Sequence, residues 1–317
     1  MEIIRNNEAL DPSRFTKPVV TIGNFDGCHL GHQEIFKRVK AHAAQVGGNS
    51  VVYTFDPHPA SVVKGVRPQL IFTLQEKIRA IDSVGMEYLI IAPFTKEFSQ
   101  TKPEVFVEDI IFNRIGAQGV VVGHDFFFGK KAHGDIPFLK RMGKKLGFFV
   151  ECVEPVCVDG TVISSTCIRK MILSGDVSGA SKVMMYPYRL SGPVVHGMSR
   201  GHSLGFPTAN LAPDKELLPA YGVYAVYVTI GEQRLPGVVN VGNNPTFGDA
   251  GTSIEAFIFD LDRDLYGREI TIEFIEFIRG EIKFADKEYL IEQIALDCEQ
   301  AQDILKRRES REDIRHS

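Results

Sequence analysis

The sequence lacks the features that mark membrane-spanning and secreted proteins. None of its apolar runs is long enough to cross a bilayer, and the N-terminus lacks the basic and then apolar layout of a signal peptide. The five cysteines form no C-x-x-C pair, which favours reduced thiols in a cytoplasmic protein. A formal net charge of only −4 provides no general attraction to nucleic acid. We therefore expect a cytoplasmic protein without a membrane or nucleic-acid partner, and leave its oligomeric state open.

The sequence does contain a clear change of pattern near residue 186. Within residues 1–186, residues 19–155 alternate helical patterns with five apolar runs, PVVTIG, SVVYTF, YLIIAPF, GVVVG and GFFVECVE. Consecutive apolar residues, rich in β-branched side chains, are typical of strands that are buried on both faces. Repeated strand–helix units predict a doubly wound, mainly parallel α/β domain.

Residues 187–305 contain strand patterns that follow one another without helices between them, such as YGVYAVYVTI and REITIEFIEFI. The second of these alternates charged and apolar residues, which is the period of a strand with one face in water. The pattern predicts an antiparallel barrel or sandwich, followed by an amphipathic C-terminal helix. Residues 306–317 are expected to form a charged, disordered tail.

The stretch TIGNFDGCHLGHQEIF, residues 21–36, places a glycine-rich turn between a predicted strand and a predicted helix. Such a turn leaves backbone N–H groups free at the helix N-terminus, where they attract anions. His29 and His32 would share one face of the first helical turn and could donate hydrogen bonds to phosphate. The same pair could instead pack in a core, or bind zinc with a further ligand such as His58.

Two later segments carry related chemistry. The first, ISSTCIRKMI, has polar residues at a helix start, where hydroxyls could cap the helix or bind a second phosphate. These residues are Ser164, Ser165, Thr166 and Arg169. The second, GPVVHGMSRGHSLGFPTANL, has a glycine-rich backbone that could wrap phosphates, although it lacks the G-K-[ST] of a Walker loop. The threonine and asparagine oxygens near its end suit Mg²⁺.

Together these motifs resemble those of one enzyme family. GNFDGCHLGH resembles the HxGH motif of the nucleotidyltransferase superfamily, and ISSTCIR resembles its second phosphate-binding motif. TFDPHP and GHDFFFG are similar to the bacterial FAD synthetase branch, while GFPTAN, GVVNVGNNPTF, IEAFIFD, DLYG and IRGEIKF are similar to riboflavin kinases. Over residues 15–305 the chain thus resembles the bifunctional riboflavin kinase/FMN adenylyltransferases, the prokaryotic FAD synthetase family.

The resemblance implies two ATP-dependent reactions on two domains. An N-terminal α/β nucleotidyltransferase domain, residues 1–186, would adenylylate FMN to FAD and release pyrophosphate. A C-terminal β-barrel kinase domain with a terminal helix, residues 187–305, would phosphorylate riboflavin to FMN. The implied small-molecule substrates are ATP, riboflavin and FMN, and the implied cofactor is Mg²⁺.

The resemblance also implies roles for individual residues. Glu255 would be the general base for the ribityl hydroxyl of riboflavin, Thr208 and Asn210 would hold Mg²⁺, and His29 and His32 would steady the ATP phosphates. The implied contacts are, for ATP in the adenylyltransferase, Gly23, Phe25, Asp26, Gly27, His29, His32, Ser165, Thr166 and Arg169; for FMN there, Phe55, Asp56, His58, Asp125 and Phe126; and for ATP in the kinase, Gly197, Arg200, Gly205, Pro207, Thr208 and Asn210.

The chain departs from the family pattern at Phe127, His202 and Phe257, where Arg, Arg and His are frequent. These departures motivate an alternative function, a flavin-binding regulatory protein that retains only one of the two activities. A third hypothesis is an adenylyltransferase for another acceptor, against which the kinase motifs weigh.

Two cysteines lie inside the proposed ATP-phosphate motifs, Cys28 beside His29 and Cys167 beside Thr166. The first interpretation is that they are small packing residues. If they are accessible, a helix N-terminus could lower their pKa. Alkylation or oxidation is then expected to impair adenylylation before the kinase.

Overall fold

The computed structural model describes residues 1–65, 68–184, 186–196, 206–243, 251–284 and 286–316, with side chains up to residue 310. The chain forms two compact units, Met1–Cys167 and Ile168–Ser317. Three residues predicted to bind ATP in the kinase, Gly197, Arg200 and Gly205, lie outside the described residues, as does the departure at His202. The domain boundary near residue 186 stays a prediction.

Unit 1 is built on a parallel sheet of six strands among the described residues, in the order β1-β4-β3-β2-β5-β6. The strands are β1 (Glu2–Arg5), β2 (Val19–Ile22), β3 (Ser50–Asp56), β4 (Tyr88–Pro93), β5 (Gly119–Gly123) and β6 (Phe149–Val153). The predicted α/β domain is confirmed. Every residue of β2 is buried, as expected for a strand with helices over both faces. The edge strand β1 was not predicted.

Helices connect these strands. They are α1 (Leu30–Val46), α2 (Pro59–Lys64), α3 (Leu74–Ser83), α4 (Pro103–Val105) and α5 (Ile136–Leu146). Helix α4 continues directly into a π-helix, Phe106–Arg114. Short 3₁₀ helices occupy Asn7–Ala9, Pro12–Arg14, Phe98–Gln100 and Lys130–Ala132. A hairpin of β7 (Cys157–Val158) and β8 (Thr161–Val162) then leads to α6 (Ser165–Leu173).

Unit 2 contains a closed antiparallel barrel, in the order β10-β13-β12-β11-β14-β9. After α7 (Val177–Met184), which packs against β14 and β9, the strands are β9 (Tyr188–Val195), β10 (Ala209–Leu211), β11 (Gly222–Ile230), β12 (Gln233–Asn243), β13 (Thr252–Ile258) and β14 (Glu269–Arg279). The barrel expectation is confirmed. Strands β9 and β10 lie at the two ends of the segment that the sequence presented only as a glycine-rich loop.

The C-terminal helix α8, Lys287–His316, is confirmed and is longer than expected. The predicted disordered tail is wrong as far as His316, because the helix continues through these residues. Ala301, Ile304 and Leu305 pack with Val223 and Ala225 of β11 in one hydrophobic cluster, so this helix covers one side of the barrel. Among the described residues no helix is both long and apolar enough to cross a membrane.

One strand face that was predicted to be wet is partly covered. Glu273 of β14 is only 6% exposed. Its carboxylate lies 2.6 Å from a guanidinium nitrogen of Arg189 and 2.8 Å from one of Arg234. A carboxylate can be buried in a strand when two cations neutralise it, and alternation of charged and apolar residues does not reveal such partners.

Candidate active sites

The first site lies at the point in the parallel sheet where the strand order reverses. Strands β3, β4 and β1 lie on one side of β2, and strands β5 and β6 lie on the other. Loops that leave the carboxyl ends of β2 and β5 therefore diverge and leave a crevice, the usual ligand position in such sheets. The turn Gly23–His29 follows β2, and His124 and Asp125 follow β5. The predicted phosphate turn is thus at the switch point.

The turn after β2 has an unusual backbone that a buried aspartate holds. Phe25, Gly27 and Cys28 have φ of 49°, 83° and 37°, in the left-handed region. The carboxylate of Asp26 accepts the N–H groups of Ile71 at 3.1 Å and Phe72 at 2.9 Å. A non-glycine residue in this region is strained and needs such support. Asp26 therefore shapes the turn through its side chain.

The two histidines begin α1. His29 is the N-cap residue, 5% exposed, and its ring stacks on that of His32 with centroids 3.7 Å apart. Burial lowers the pKa of His29 to about 4, although Asp125 and Asp26 act in the opposite direction. Burial, and then the neighbouring His29 and Lys77, lowers the pKa of His32 well below its ordinary value. Both rings are therefore neutral at pH 7 in the free protein.

A cavity of about 370 Å³ opens beside this pair. Its walls include His29, His32, Asp125, Ser165 and Thr166, so the geometry brings together residues from both predicted phosphate motifs. The buried Nδ1 atoms of His29 and His32 have no hydrogen-bond partner among the described residues. Unsatisfied buried nitrogens beside a cavity indicate a place where a polar ligand would complete the hydrogen bonding.

The ISST segment uses its hydroxyls in two ways. The Ser164 hydroxyl accepts the N–H of Cys167 at 3.2 Å, which caps the start of α6. The Ser165 hydroxyl donates to the backbone oxygen of Asp26 at 2.8 Å and so ties this helix to the phosphate turn. Thr166 is exposed and lines the cavity. Arg169 lies one helical turn after Ser165 on the same helix.

Two of the residues predicted to contact FMN, Phe55 and Phe126, belong to one aromatic cluster. Phe55, at the end of β3, packs against Phe98, which packs against Phe106. Phe106 in turn contacts Phe128, whose ring stacks with that of Phe126 at 5.3 Å. A run of aromatic faces is a suitable wall for a flat ring. Beside this cluster Phe127, the departure from the family pattern, is 62% exposed.

Three predicted residues have local structural roles or positions. The ring of Phe25 is 2% exposed and packs edge-on against His32, so its side chain supports the histidine pair. His58 accepts the N–H of Ala60 through Nδ1 at 3.2 Å, which caps α2. Asp56 is exposed at the end of β3. The part of the chain that the structure describes contains no cluster of three His, Cys, Asp or Glu side chains that could hold a metal ion.

The condition of accessible thiols is not met at Cys28. Cys28 is 2% exposed, its thiol donates to the Phe25 carbonyl at 3.4 Å, and burial raises its pKa to about 12. Burial raises the free energy of the thiolate by more than the nearby helix N-terminus lowers it. The packing interpretation therefore holds for Cys28. Cys167 is half-buried.

The second site lies on the barrel. Glu255 of β13 pairs in register with Asn210 of β10 on one side and Asn240 of β12 on the other. Residues in register share one face of a sheet, so the three polar side chains form a row. Asn210 is 6% exposed, and its buried Oδ1 has no hydrogen-bond partner among the described residues. The row therefore has carboxylate and amide oxygens available.

A cavity of about 350 Å³ lies on the same strands, but Ala209 and Ala256, which alternate with Asn210 and Glu255, line it and the three residues of the row do not. Pro207, Thr208 and Ala209 line it, so the segment that ends at Asn210 belongs to both features. Its other walls include Asp262, Asp264 and Tyr266, of which the last two belong to the DLYG motif, although no role was predicted for any of the three. The second departure, Phe257, packs edge-on against Phe206 just before this segment and leaves Glu255 in place.

The fold and the two sites define a class, a two-domain transferase that handles nucleotide phosphates. Family models described as FAD synthetase and Riboflavin kinase match residues 11–167 and 184–305. Bifunctional riboflavin kinase/FMN adenylyltransferases from Listeria monocytogenes, Haemophilus influenzae and Escherichia coli K12 are 37%, 34% and 33% identical, over 88%, 89% and 94% of this chain and 90%, 92% and 96% of theirs. The chain belongs to the family of bifunctional riboflavin kinase/FMN adenylyltransferases.

A solved structure shares the same architecture. It is described as a macrolide-efflux protein from Streptococcus pneumoniae, with a TM-score of 0.84, 32% identity, and coverage of 94% of this chain and 97% of that one. Its description differs from the names of the curated relatives. The domain composition of this chain agrees with those relatives, because a separate family model matches each half.

Proposed function

We propose that each unit carries one of the family's two reactions, and that the predicted residues form its sites. Unit 2 phosphorylates riboflavin to FMN with ATP, and unit 1 transfers the AMP group of a second ATP to FMN to give FAD and pyrophosphate. The observation that carries the proposal is the match of two family models, in order, each over a part of the chain that has its own cavity. ATP-dependent chemistry of this kind favours the cytoplasm as its location.

In unit 1, the FMN phosphate oxygen attacks the α-phosphorus of ATP, and the bond to the pyrophosphate oxygen breaks. A neutral imidazole carries one N–H, so His29 and His32 each donate a hydrogen bond to phosphate oxygens without binding a proton first. The turn amides, Ser165 and Thr166 add further donors. The rate enhancement then comes from positioning and charge stabilisation, with no covalent enzyme intermediate.

In unit 2, Glu255 takes the proton of the terminal ribityl hydroxyl while that oxygen attacks the γ-phosphorus of ATP and ADP leaves. Such help from a positioned base is worth about 10²–10⁴-fold in rate. Asn210 and Asn240 flank Glu255 in register.

The oxygens in this region fit Mg²⁺. The orphaned Oδ1 of Asn210, the Thr208 hydroxyl and the Glu255 carboxylate are the hard donors that this cation prefers. Bound with ATP, Mg²⁺ neutralises charge on the phosphates. Asn210 and Thr208 would hold it.

The experiment is an assay of the wild-type chain with riboflavin, ATP and Mg²⁺, with the flavins separated by chromatography. FMN is expected first, and FAD later as FMN accumulates. FMN without FAD would favour a protein that has lost one activity, and neither product would overturn the proposal. The departures at Phe127 and Phe257 leave the assigned groups in place, so we expect both products.

A further inference from the structure

Two carboxylates in the cavity of unit 1 have no cation beside them. Asp125 and Glu154 both line this cavity, together with the histidine pair and the ISST segment. Both are exposed, and within the described part of the chain neither makes an ion pair or a hydrogen bond. The ligand proposed for the cavity is itself an anion, so these charges oppose the binding of free ATP.

The sheet places the two carboxylates at neighbouring strand ends. Strands β5 and β6 pair in parallel, and their last residues, Gly123 and Val153, are in register. Just beyond them the N–H of His124 donates to the Val153 carbonyl at 3.1 Å, so the two segments leave the sheet together. Asp125 and Glu154 lie within two residues of these strand ends. Both therefore stand at the carboxyl edge of the sheet, where the crevice is.

The Asp125 carboxylate is close to the end of β5 and to α1. A Cβ added at Gly123 would lie 3.3 Å from Oδ1 of Asp125 and 3.4 Å from the Ile35 side chain. Ile35 belongs to α1 and lines the same cavity. Among the neighbouring charges that raise the pKa of His29, that of Asp125 has the largest effect. Asp125 therefore acts on the part of the cavity where the histidine pair lies.

The cavity offers little positive charge to balance these carboxylates. No lysine or arginine lines it in the described part of the chain, the stacked histidines are neutral at pH 7, and its third histidine, His124, is exposed to water. The unsatisfied Nδ1 atoms of His29 and His32 nevertheless indicate a polar ligand, and His29 is only 5% exposed. A divalent cation bound with the phosphates reconciles the two observations, because it attracts both the carboxylates and the triphosphate.

One or two carboxylates are what proteins usually contribute to a Mg²⁺ that arrives with ATP. This cation demands near-octahedral oxygen ligands and keeps several waters, and substrate phosphates supply the rest of its coordination. Two carboxylates are too few to hold the ion by themselves. Protein and triphosphate should therefore bind it together, and neither should hold it as well without the other.

We propose that Asp125 and Glu154 bind the Mg²⁺ of ATP in unit 1, and that they thereby select the metal complex over free ATP. This inference rests on the proposed adenylylation of FMN by unit 1. Bound there, Mg²⁺ would neutralise charge on the phosphates and polarise the phosphoryl oxygens. The position is separate from the one proposed at Thr208 and Asn210 on the barrel.

The first test follows binding to the full-length chain without turnover. The probes are Mn²⁺, a paramagnetic substitute for Mg²⁺, and an ATP analogue with a methylene group between the α- and β-phosphorus. Together they should broaden the ring resonances of His29 and His32, and Mn²⁺ alone at the same concentration should not. Asp125→Asn and Glu154→Gln should each need about tenfold to hundredfold more Mn²⁺. The control Glu104→Gln, at an exposed position of α4, should behave as wild type.

The second test uses the sign of the charge effect, followed through shifts of the same ring resonances. With Mg²⁺ present, Asp125→Asn should bind the analogue more weakly than wild type, because a metal ligand is lost. With EDTA present, the variant should bind the metal-free analogue more tightly, because a repelling charge is gone. Tighter binding under both conditions would show that the carboxylate only repels phosphate, and weaker binding under both would show a metal-independent contact. Either result would overturn the inference.

The two activities of the chain supply an internal comparison. In Asp125→Asn the Mg²⁺ concentration for half-maximal adenylylation of FMN should rise about tenfold to hundredfold, while that for riboflavin phosphorylation stays at the wild-type value. Unchanged Mn²⁺ broadening in both carboxylate variants would overturn the inference. The expected broadening in a wild type that makes no FAD from FMN would support the metal site and contradict the proposed adenylylation instead.

Discussion

His29 and His32 stack ring on ring, with centroids 3.7 Å apart and 19° between the ring planes. Two protonated imidazoles at this distance would repel each other in a poorly solvated place, so the stack itself disfavours charge on the pair. The unsatisfied Nδ1 atoms then mark a site that is preorganised for a ligand. We propose that the histidines act as neutral donors, and lowered pKa values of both rings are the measurable consequence.

The histidine pair should make unit 1 sensitive to mild acid. The pKa of His29 is about 4 in the folded chain and about 6.5 when unfolded, so the unfolded state binds a proton first as the pH falls. Stability contributed by the neutral ring is complete above pH 6.5 and is lost towards pH 4. Relative to His29→Asn, the free energy of unfolding of the wild type should fall by about 2 kcal/mol between pH 7 and pH 5.

Urea unfolding followed by hydrogen exchange of β2 and α1 measures this loss in unit 1. The ring resonances that the His29→Asn and His32→Asn variants remove should also titrate below the usual histidine range. Titration of both near pH 6.5 would contradict the burial argument.

Glu255→Gln should separate the two activities. The variant keeps the shape of the side chain in the Asn210–Glu255–Asn240 row but removes the base. We expect riboflavin phosphorylation to fall about 10²–10⁴-fold, while FMN is still converted to FAD. Asn240→Asp is a useful comparison, since it changes an exposed position of the same row. If phosphorylation by Glu255→Gln stayed close to wild type, another residue would be the base.

Gly27→Ala should damage adenylylation selectively. Gly27 has φ of 83°, and a Cβ there would lie 3.1 Å from the Ile71 side chain. Strain of roughly 1–2 kcal/mol plus the clash should distort the turn and lower adenylylation, with kinase activity retained. Gly47→Ala is the matched control, because its φ is 61° and its added Cβ would meet nothing within 4 Å. Equal loss of adenylylation in both variants would show that backbone strain alone is responsible.

Native alkylation should spare Cys28. With a pKa of about 12 and 2% exposure, its thiol offers almost no thiolate at pH 7. Cys157, which is exposed, should react first in a brief treatment followed by peptide mass spectrometry. Wild type and the Cys157→Ser control should both retain adenylylation while Cys28 and Cys167 are unlabelled. Rapid labelling of Cys28 that ATP prevents would contradict the burial of this thiol.

The main layout of both domains could be predicted from periodicity. GVVVG, for example, is strand β5 with the predicted bounds, since a fully buried strand has a distinctive run of apolar residues. Strand β1 was not predicted because only Ile4 of its four residues is buried, so the sequence has neither an apolar run nor an alternation there. The π-helix Phe106–Arg114 has the composition of an α-helix, and its wider turn depends on packing.

The sites could be predicted only where a motif carried them. The histidines, ISST and Glu255 came from residue order and resemblance, and the geometry brings the first two together at one cavity. The support from α3 could not be predicted, because Asp26 and Ile71 are 45 residues apart and neither has an unusual neighbour in sequence. The burial of Cys28 depends on the same contacts, so the inaccessibility of its thiol could not be predicted from the sequence either.

The central claim, that two independent sites act in sequence, is tested most directly by mixing Glu255→Gln with His32→Ala. Each variant alone should fail to make FAD from riboflavin, the first because it makes little FMN and the second because it adenylylates poorly. Given riboflavin, ATP and Mg²⁺ together, the mixture should produce FAD, since FMN released by one variant is used by the other. A mixture that forms FMN but no FAD, while Glu255→Gln alone converts added FMN, would contradict free passage of FMN. A Glu255→Gln variant unable to convert added FMN would contradict the independence of the two sites.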